Sequence, residues 1–308
     1  MKTTYEQMAK MYESSRVSPL LQGAIDMHYH HYPEISLELK SRVEDIEAVT
    51  RARDNGLRGI VLKNHFWPTT AWAYYLQQLV PGILIFSSIS LNISVGGPSA
   101  WVVETAARQG AKVVWMPTWS AARSTSRIGF TSFMKTWFPR ITPALGTGIN
   151  LIDSSGQLLS EIKDIIKLAK ELKLVISTGH ISPQESLAIA AEAERIGFDK
   201  LVMCHPVSAN IAATLEEMKE MAKRGAYIEL DATQAVSHRL IDRQLEILGE
   251  VGPEHCILSS DSFGDWPPPA PEYLRLYIGL LKLYGAVSDE AIVQMVSRNP
   301  ARLLDLPL

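Results

Sequence analysis

The feature that most constrains this chain is a repeated alternation: eight short apolar runs, each giving way to a polar or small residue and separated by stretches with helical spacing. The runs are Gly23–Met27, Gly59–Leu62, Ile83–Ser88, Lys112–Met116, Leu174–Ser177, Lys200–Met203, Ala226–Leu230 and Cys256–Ser259. Near-continuous apolar runs of this length suit strands buried on both faces. Between them the spacing predicts helices over Ser41–Asn55, Thr69–Leu79, Ser99–Gln109, Glu161–Leu172, Pro183–Arg195, Leu215–Arg224 and His238–Leu248. Most are followed at once by Gly or Pro, the usual helix stop. Strands alternating with helices over a chain of 308 residues predict an α/β fold of the (β/α)8 TIM-barrel class. A doubly wound sheet is the alternative, but no Gly-x-Gly-x-x-Gly follows the first run. The barrel is expected over 23–308, ending in C-terminal helices at Glu272–Tyr284 and Asp289–Ser297. A short helical arm is expected over 1–22, with an amphipathic helix at 3–16.

In such a barrel the chemistry sits at the C-terminal ends of the strands. The first strand runs into Asp26-Met27-His28-Tyr29-His30, and strand alternation puts His28 and His30 on one face with Tyr29 on the other. The fifth strand ends in Thr178-Gly179-His180, the sixth in Cys204-His205-Pro206 and the eighth in Ser260-Asp261-Ser262. The chain has only eight histidines, so placing His28, His30, His180 and His205 at strand ends is not a casual distribution. Imidazoles and a carboxylate are the usual ligands of zinc and other divalent metals. A metal lowers the pKa of its water to about 7, and Asp261 is placed to bind the ion and to accept that water's proton as general base.

Other polar residues carry weaker signals. His31 points away from His30 if the strand continues, and His238 and His255 read as structural. Asp26 is spaced to hydrogen-bond a ligand. Glu229 and Asp231 share a face, with Asp231 at the tip, where it either lines the pocket or serves as a salt bridge or cap. A long segment between the fourth and fifth strands, Thr118–Ser160, carries Trp119, Arg123, Arg127, Trp137 and Arg140, and ends in a hairpin-like stretch around Asp153–Gly156. Loops of that length are usually functional. Arg123 and Arg127 with Trp119 and Trp137 either form a lid favouring an anionic, carboxylate-bearing substrate or make a solvated loop face.

The set Asp26-x-His28-x-His30, His180, His205 and Asp261, together with the closing Asn299-Pro300-Ala301-Arg302-Leu303-Leu304, resembles the amidohydrolase superfamily of metal-dependent hydrolases. Within it the chain is similar to a little-characterised branch whose second strand ends in Val61-Leu62-Lys63-Asn64-His65. The resemblance implies that two ions are usually bridged by a carboxylated lysine or a glutamate from strand four, and in some members by a ligand from strand two or three. Strand four here reads Val113-Val114-Trp115-Met116-Pro117, with neither. Either the site holds one ion, or Lys63, carboxylated, supplies the bridge. His65 shares the face of Lys63, and ligand, substrate contact and supporting roles are all open to it. The expected metal is zinc, with manganese, iron, cobalt or nickel as alternatives, in one or two ions.

The resemblance leads to one expected reaction: metal-bound hydroxide attacks an amide, cyclic amide, lactone or other ester. A metal-dependent decarboxylase is the alternative within the same superfamily, and a non-catalytic metal sensor is the reading from another class. A net charge of -3 without a Lys/Arg run leaves no footprint for nucleic acid or an anionic membrane, so the expected partner is a small-molecule substrate. A homo-oligomer is compatible with the sequence. Its polar start and the absence of a membrane-length apolar run lead to the expectation of a cytoplasmic protein with two reduced cysteines, Cys204 and Cys256. Alternation turns Cys204 away from the face of His205.

Overall fold

In a computed structural model, described over residues 17–127, 135–140 and 146–308, eight strands form one sheet in sequential order, the (β/α)8 barrel class expected from the sequence. They are β1 (Ile25–His30), β2 (Gly59–Lys63), β3 (Leu84–Ser90), β4 (Ala111–Trp115), β5 (Val175–Ser177), β6 (Leu201–Met203), β7 (Tyr227–Asp231) and β8 (Cys256–Ser259). The helices are α1 (Asp45–Asp54), α2 (Thr70–Leu79), α3 (Ala100–Arg108), α4 (Ala122–Arg127), α5 (Ser160–Glu171), α6 (Pro183–Ile196), α7 (Leu215–Lys223), α8 (Ile241–Val251), α9 (Ala270–Gly285), α10 (Asp289–Val293) and α11 (Asn299–Leu303). The helix expected at 3–16 lies outside the described residues, as do 128–134 and 141–145 of the long fourth loop. No helix among the described residues is long and apolar enough to cross a membrane.

Local sequence explains the elements. Ile162, Ile165, Ile166 and Ala169 form the buried stripe of α5 at helical spacing. Both α6 and α7 begin with a capping box, Ser182 with Glu185 and Thr214 with Glu217, in which side chain and backbone satisfy each other's end groups. The hairpin-like stretch is present: Ile152 pairs antiparallel with Leu158, and Asp153 N–H donates to the Gln157 carbonyl at 2.9 Å.

Several boundaries differ from expectation for tertiary reasons. The first strand does not stop at Met27. It continues because Asp261 N–H donates to the His28 carbonyl at 2.9 Å and His30 N–H to the Ser262 carbonyl at 3.3 Å, which carries β1–β8 pairing through both histidines. Helix α1 starts at Asp45 rather than Ser41. Asp45 is buried and its Oδ1 accepts the Tyr32 N–H at 3.0 Å, so its carboxylate serves the loop before the helix. Helix α8 starts at Ile241 because Thr233–Ser237 forms a π turn, whose Gln234 N–H is capped by Asp231 Oδ1 at 2.7 Å. The stretch expected as one helix from Asp289 to Ser297 is α10 followed by a π turn, Gln294–Arg298.

The chain divides into two compact units. One takes in the chain up to Leu62, Trp72–Phe86 and Leu230–Leu308; the other takes in Lys63–Ala71 and Ser87–Glu229. Each carries its own polar cluster.

Candidate metal centre

In the first unit, extended backbone turns His28 and His30 to one side of β1, and the turn after β8 brings Asp261 against them. Three ligand-type atoms converge there: His28 Nε2 and His30 Nε2 are 3.1 Å apart, and Asp261 Oδ1 is 3.0 Å from the first and 3.1 Å from the second. All three residues are buried. A single proton can bridge only one edge of that triangle, and two lone pairs or two protons face to face repel. One divalent cation satisfies all three atoms at once, so the donor set fits a metal.

The surroundings hold these atoms in place. His30 Nδ1 lies 3.3 Å from Glu34 Oε1, which puts a buried carboxylate beside the buried imidazole. Asp26, fully buried, accepts the backbone N–H of His28 at 3.2 Å and that of Ser260 at 3.0 Å on one oxygen. Ser260 Oγ donates to the His28 carbonyl at 3.1 Å. Asp261 itself has a left-handed backbone, φ 45, and its carbonyl accepts Thr233 Oγ1 at 2.7 Å. Aspartate tolerates that conformation better than most side chains, but at a cost, and such strain clusters at functional positions.

In the second unit three imidazoles stand in a row. The ring centroids of His65 and His180 are 5.7 Å apart, and those of His180 and His205 are 4.9 Å apart. Each has a small polar side chain on Nδ1: Thr118 Oγ1 at 2.8 Å for His65, Asn210 Nδ2 at 3.3 Å for His180, and Ser208 Oγ at 3.1 Å for His205. With Nδ1 engaged, Nε2 is the atom through which His180 and His205 would ligate. Trp119 packs on His65 with centroids 4.3 Å apart and is itself buried. Lys63 is fully buried at the end of β2 with Nζ 4.4 Å from the Trp115 ring centroid, a cation–π distance.

The remaining sequence candidates have other occupations. Arg123 donates through Nε and Nη2 to the Ile211 carbonyl at 3.0 and 2.7 Å, and Arg127 Nε donates to the Ala209 carbonyl at 2.8 Å. Burial, followed by the neighbouring Arg127 charge, lowers the Arg123 pKa from the ordinary arginine value. These two arginines therefore clamp the segment that carries Ser208 and Asn210. Asp231 is fully buried and caps the π turn, while its carbonyl accepts Gln244 Nε2 at 3.0 Å. Glu229 accepts the His205 N–H at 3.2 Å. His31 faces Asp45, Nδ1 to Oδ2 3.4 Å, away from the His28–His30–Asp261 triangle. Both cysteines are buried and reduced, and burial pushes the Cys256 thiol far up.

Sequence reasoning did not single out Glu34, Asn92, Ser208, Asn210 or the hydroxyl of Thr118. The only sequence signal for Glu34 is an acid four residues after His30. The others sit in loops without periodicity.

Residues 23–229 match the model of a family of unknown function, DUF6282. No curated protein sequence matches the chain. Among solved structures, a probable dipeptidase, PvdM, from Pseudomonas aeruginosa is 13% identical over 98% of this chain and 98% of its own, with a TM-score of 0.66. A lactonase from Listeria monocytogenes is 15% identical over 94% of this chain and 97% of its own, with a TM-score of 0.62. An amidohydrolase from Pseudomonas aeruginosa is 13% identical over 94% and 98%, with a TM-score of 0.61. At these identities the likeness speaks for a shared fold.

Proposed function

The chain belongs to the DUF6282 family of unknown function, and we propose that it is a metal-dependent hydrolase acting on an amide, cyclic amide, lactone or other ester of a small molecule. The observation that carries this reading is the convergence of His28 Nε2, His30 Nε2 and Asp261 Oδ1 within 3.1 Å of one another. The fold shared with a dipeptidase and a lactonase supports it. His180 and His205 are the candidates for further ligands, as the strand-end pattern suggests, and zinc is the first metal to try.

A divalent ion supplies Lewis acidity and acidifies water at neutral pH. The protein's own part is positional. His28 and His30 would hold the ion through their Nε2 atoms, with the Glu34 carboxylate beside His30 Nδ1 at 3.3 Å. Asp261 directs Oδ1 at the two imidazoles, and its carboxylate takes the proton of the attacking water and returns it to the leaving group. Since Arg123 and Arg127 are engaged by backbone carbonyls, recognition of a substrate carboxylate would draw on the donors they keep.

The test pairs elemental analysis with a panel of lactones, cyclic amides and dipeptides. Wild type is expected to carry metal and turn over a panel member, and Asp261→Asn to retain most of the metal while losing at least about 10²-fold in kcat. A fully active Asp261→Asn enzyme refutes the role of Asp261. One ion per chain with no hydrolysis, but loss of CO2 from a carboxylated compound, favours the decarboxylase. Two ions and a Lys63 side chain heavier by CO2 favour the carboxylated bridge.

A further inference from the structure

The turn that presents Asp261 also presents an aromatic ring beside the metal triangle. Phe263 follows Asp261 by two residues, and its ring meets that of His30 in an edge-to-face arrangement, with centroids 5.2 Å apart and planes 66° apart. Only part of the ring is covered by that contact: Phe263 stays 40% exposed, whereas His30 is buried. Three residues on, Trp266 is 72% exposed. Single exposed apolar residues are ordinary on a protein surface. Two large aromatic side chains on the short turn that carries a ligand-type carboxylate are a different matter, because exposed rings beside a few convergent polar groups are the composition of a ligand site.

The turn is built to hold this shape. Gly264 has φ 80, a left-handed conformation that a side chain would strain. Arg42, in the loop before α1, pins the turn from outside: its backbone N–H donates to the Gly264 carbonyl at 3.2 Å and its Nη2 to the Trp266 carbonyl at 2.9 Å. Ser262 Oγ donates to the Pro268 carbonyl at 3.3 Å, and Pro267, Pro268 and Pro269 fix their own φ angles. The loop that carries Arg42 is itself fastened by Asp45, whose carboxylate accepts the Tyr32 N–H and the Trp72 indole N–H. A turn held through its backbone leaves its rings to meet a ligand with little further ordering.

We propose that Phe263 and Trp266 form an aromatic subsite beside the metal triangle, which takes a flat apolar group, such as an aryl ring, attached to the carbonyl of the amide or ester. The proposal rests on the hydrolase reading and names the substrate class for that same site. A carbonyl compound brought to His30 and Asp261 meets Phe263 next, since that ring already touches His30 and stands two residues from Asp261. The turn offers two π faces and, in the exposed Asp265, an acid, so an uncharged flat group suits it better than a carboxylate.

The experiment uses full-length, zinc-loaded protein and two hydroxamates, acetohydroxamate and benzohydroxamate. They offer a metal the same two oxygens and differ in a methyl against a phenyl group; calorimetric titration gives each Kd. Wild type is expected to bind benzohydroxamate at least about 10-fold more tightly. Phe263→Ala and Trp266→Ala should each narrow that ratio, and the double variant should bring it close to unity. A ratio near unity in wild type overturns the subsite, and so does a ratio that survives in the double variant. Zinc content is read on every protein: loss of zinc from Phe263→Ala, or an equal weakening of both hydroxamates, makes Phe263 a prop for His30 and overturns the subsite. Should Phe263→Ala not fold, Trp266→Ala decides, because it removes a ring that is already exposed; an unchanged ratio there overturns the proposal. Failure of the hydrolase reading looks different, as no zinc bound or zinc retained with neither hydroxamate bound, and it takes the subsite with it.

Discussion

Replacing Asp26 by alanine tests whether the junction between β1 and β8 holds the metal triangle in shape. One oxygen of this fully buried carboxylate accepts two backbone N–H groups, from His28 and Ser260. Hydrogen bonds to a charged acceptor contribute about 1.5–3 kcal/mol each, so the pair contributes about 3–6 kcal/mol, and alanine strands two buried donors. Relief from burying a charge offsets part of this, leaving an expected loss of about 2–5 kcal/mol for Asp26→Ala. Asp26→Asn keeps an acceptor oxygen of the same reach but not its charge, and should lose about half as much.

The same junction sets His28 against Asp261, because the His28 carbonyl accepts both the Asp261 N–H at 2.9 Å and the Ser260 hydroxyl at 3.1 Å. Loosening it should raise the zinc Kd by about 10–100-fold, the usual effect of losing a group that orients a ligand. Urea unfolding of the metal-free protein gives the first quantity and zinc titration the second. An Asp26→Ala protein within 1 kcal/mol of wild type and with unchanged zinc affinity refutes the reasoning. A stability loss with unchanged affinity limits Asp26 to holding the strands together.

Three further outcomes are expected. Asp261 has φ 45, so Asp261→Gly should be more stable than Asp261→Ala by about 1 kcal/mol, measured by denaturant unfolding of the metal-free variants; the opposite order contradicts the strained backbone. Burial pushes the Tyr29 and Tyr277 hydroxyls well above the ordinary tyrosine value and raises the Cys256 thiol. Groups whose pKa is raised by folding contribute stability that is complete below their unfolded values and lost as pH rises beyond them, so unfolding free energy should fall from about pH 8.5 upward. Tyr277→Phe should flatten that slope, and a flat wild-type curve between pH 8 and 11 refutes the assignment. Arg123→Met should destabilise the protein by about 1–2 kcal/mol through loss of two charged N–H donors on the Ile211 carbonyl, and Arg123→Lys should rescue it poorly because an ammonium lacks the fork. Full rescue by lysine refutes the bidentate role.

The barrel was legible because its signal is local and repeated: apolar runs and helix stops recur along the chain and need no knowledge of what they touch. His28, His30 and Asp261 were legible for a related reason, since strand alternation and strand ends place them before any contact is known. Glu34 and Asn92 were not, because each acts through a loop conformation that only packing defines. Asn92 is marked by nothing in its neighbours, and its role comes from meeting Thr118 and Ser120 after the turn that follows β4. The arginines of the fourth loop suggested an anion, but a guanidinium answers equally well to a backbone carbonyl. Its partner depends on where the segment at Ala209–Ile211 folds.

The groups behind these histidine rings differ in what they can accept and donate. Behind His30 stands the Glu34 carboxylate, with Oε1 3.3 Å from Nδ1. Behind His65 stands Thr118, whose hydroxyl lies 2.8 Å from Nδ1 and also accepts the Asn92 Nδ2–H. A Thr118→Asp protein puts an acceptor-only group behind His65 and should raise the zinc count or its affinity. If zinc binding is indifferent to Thr118→Asp, the backing group does not govern what His65 binds.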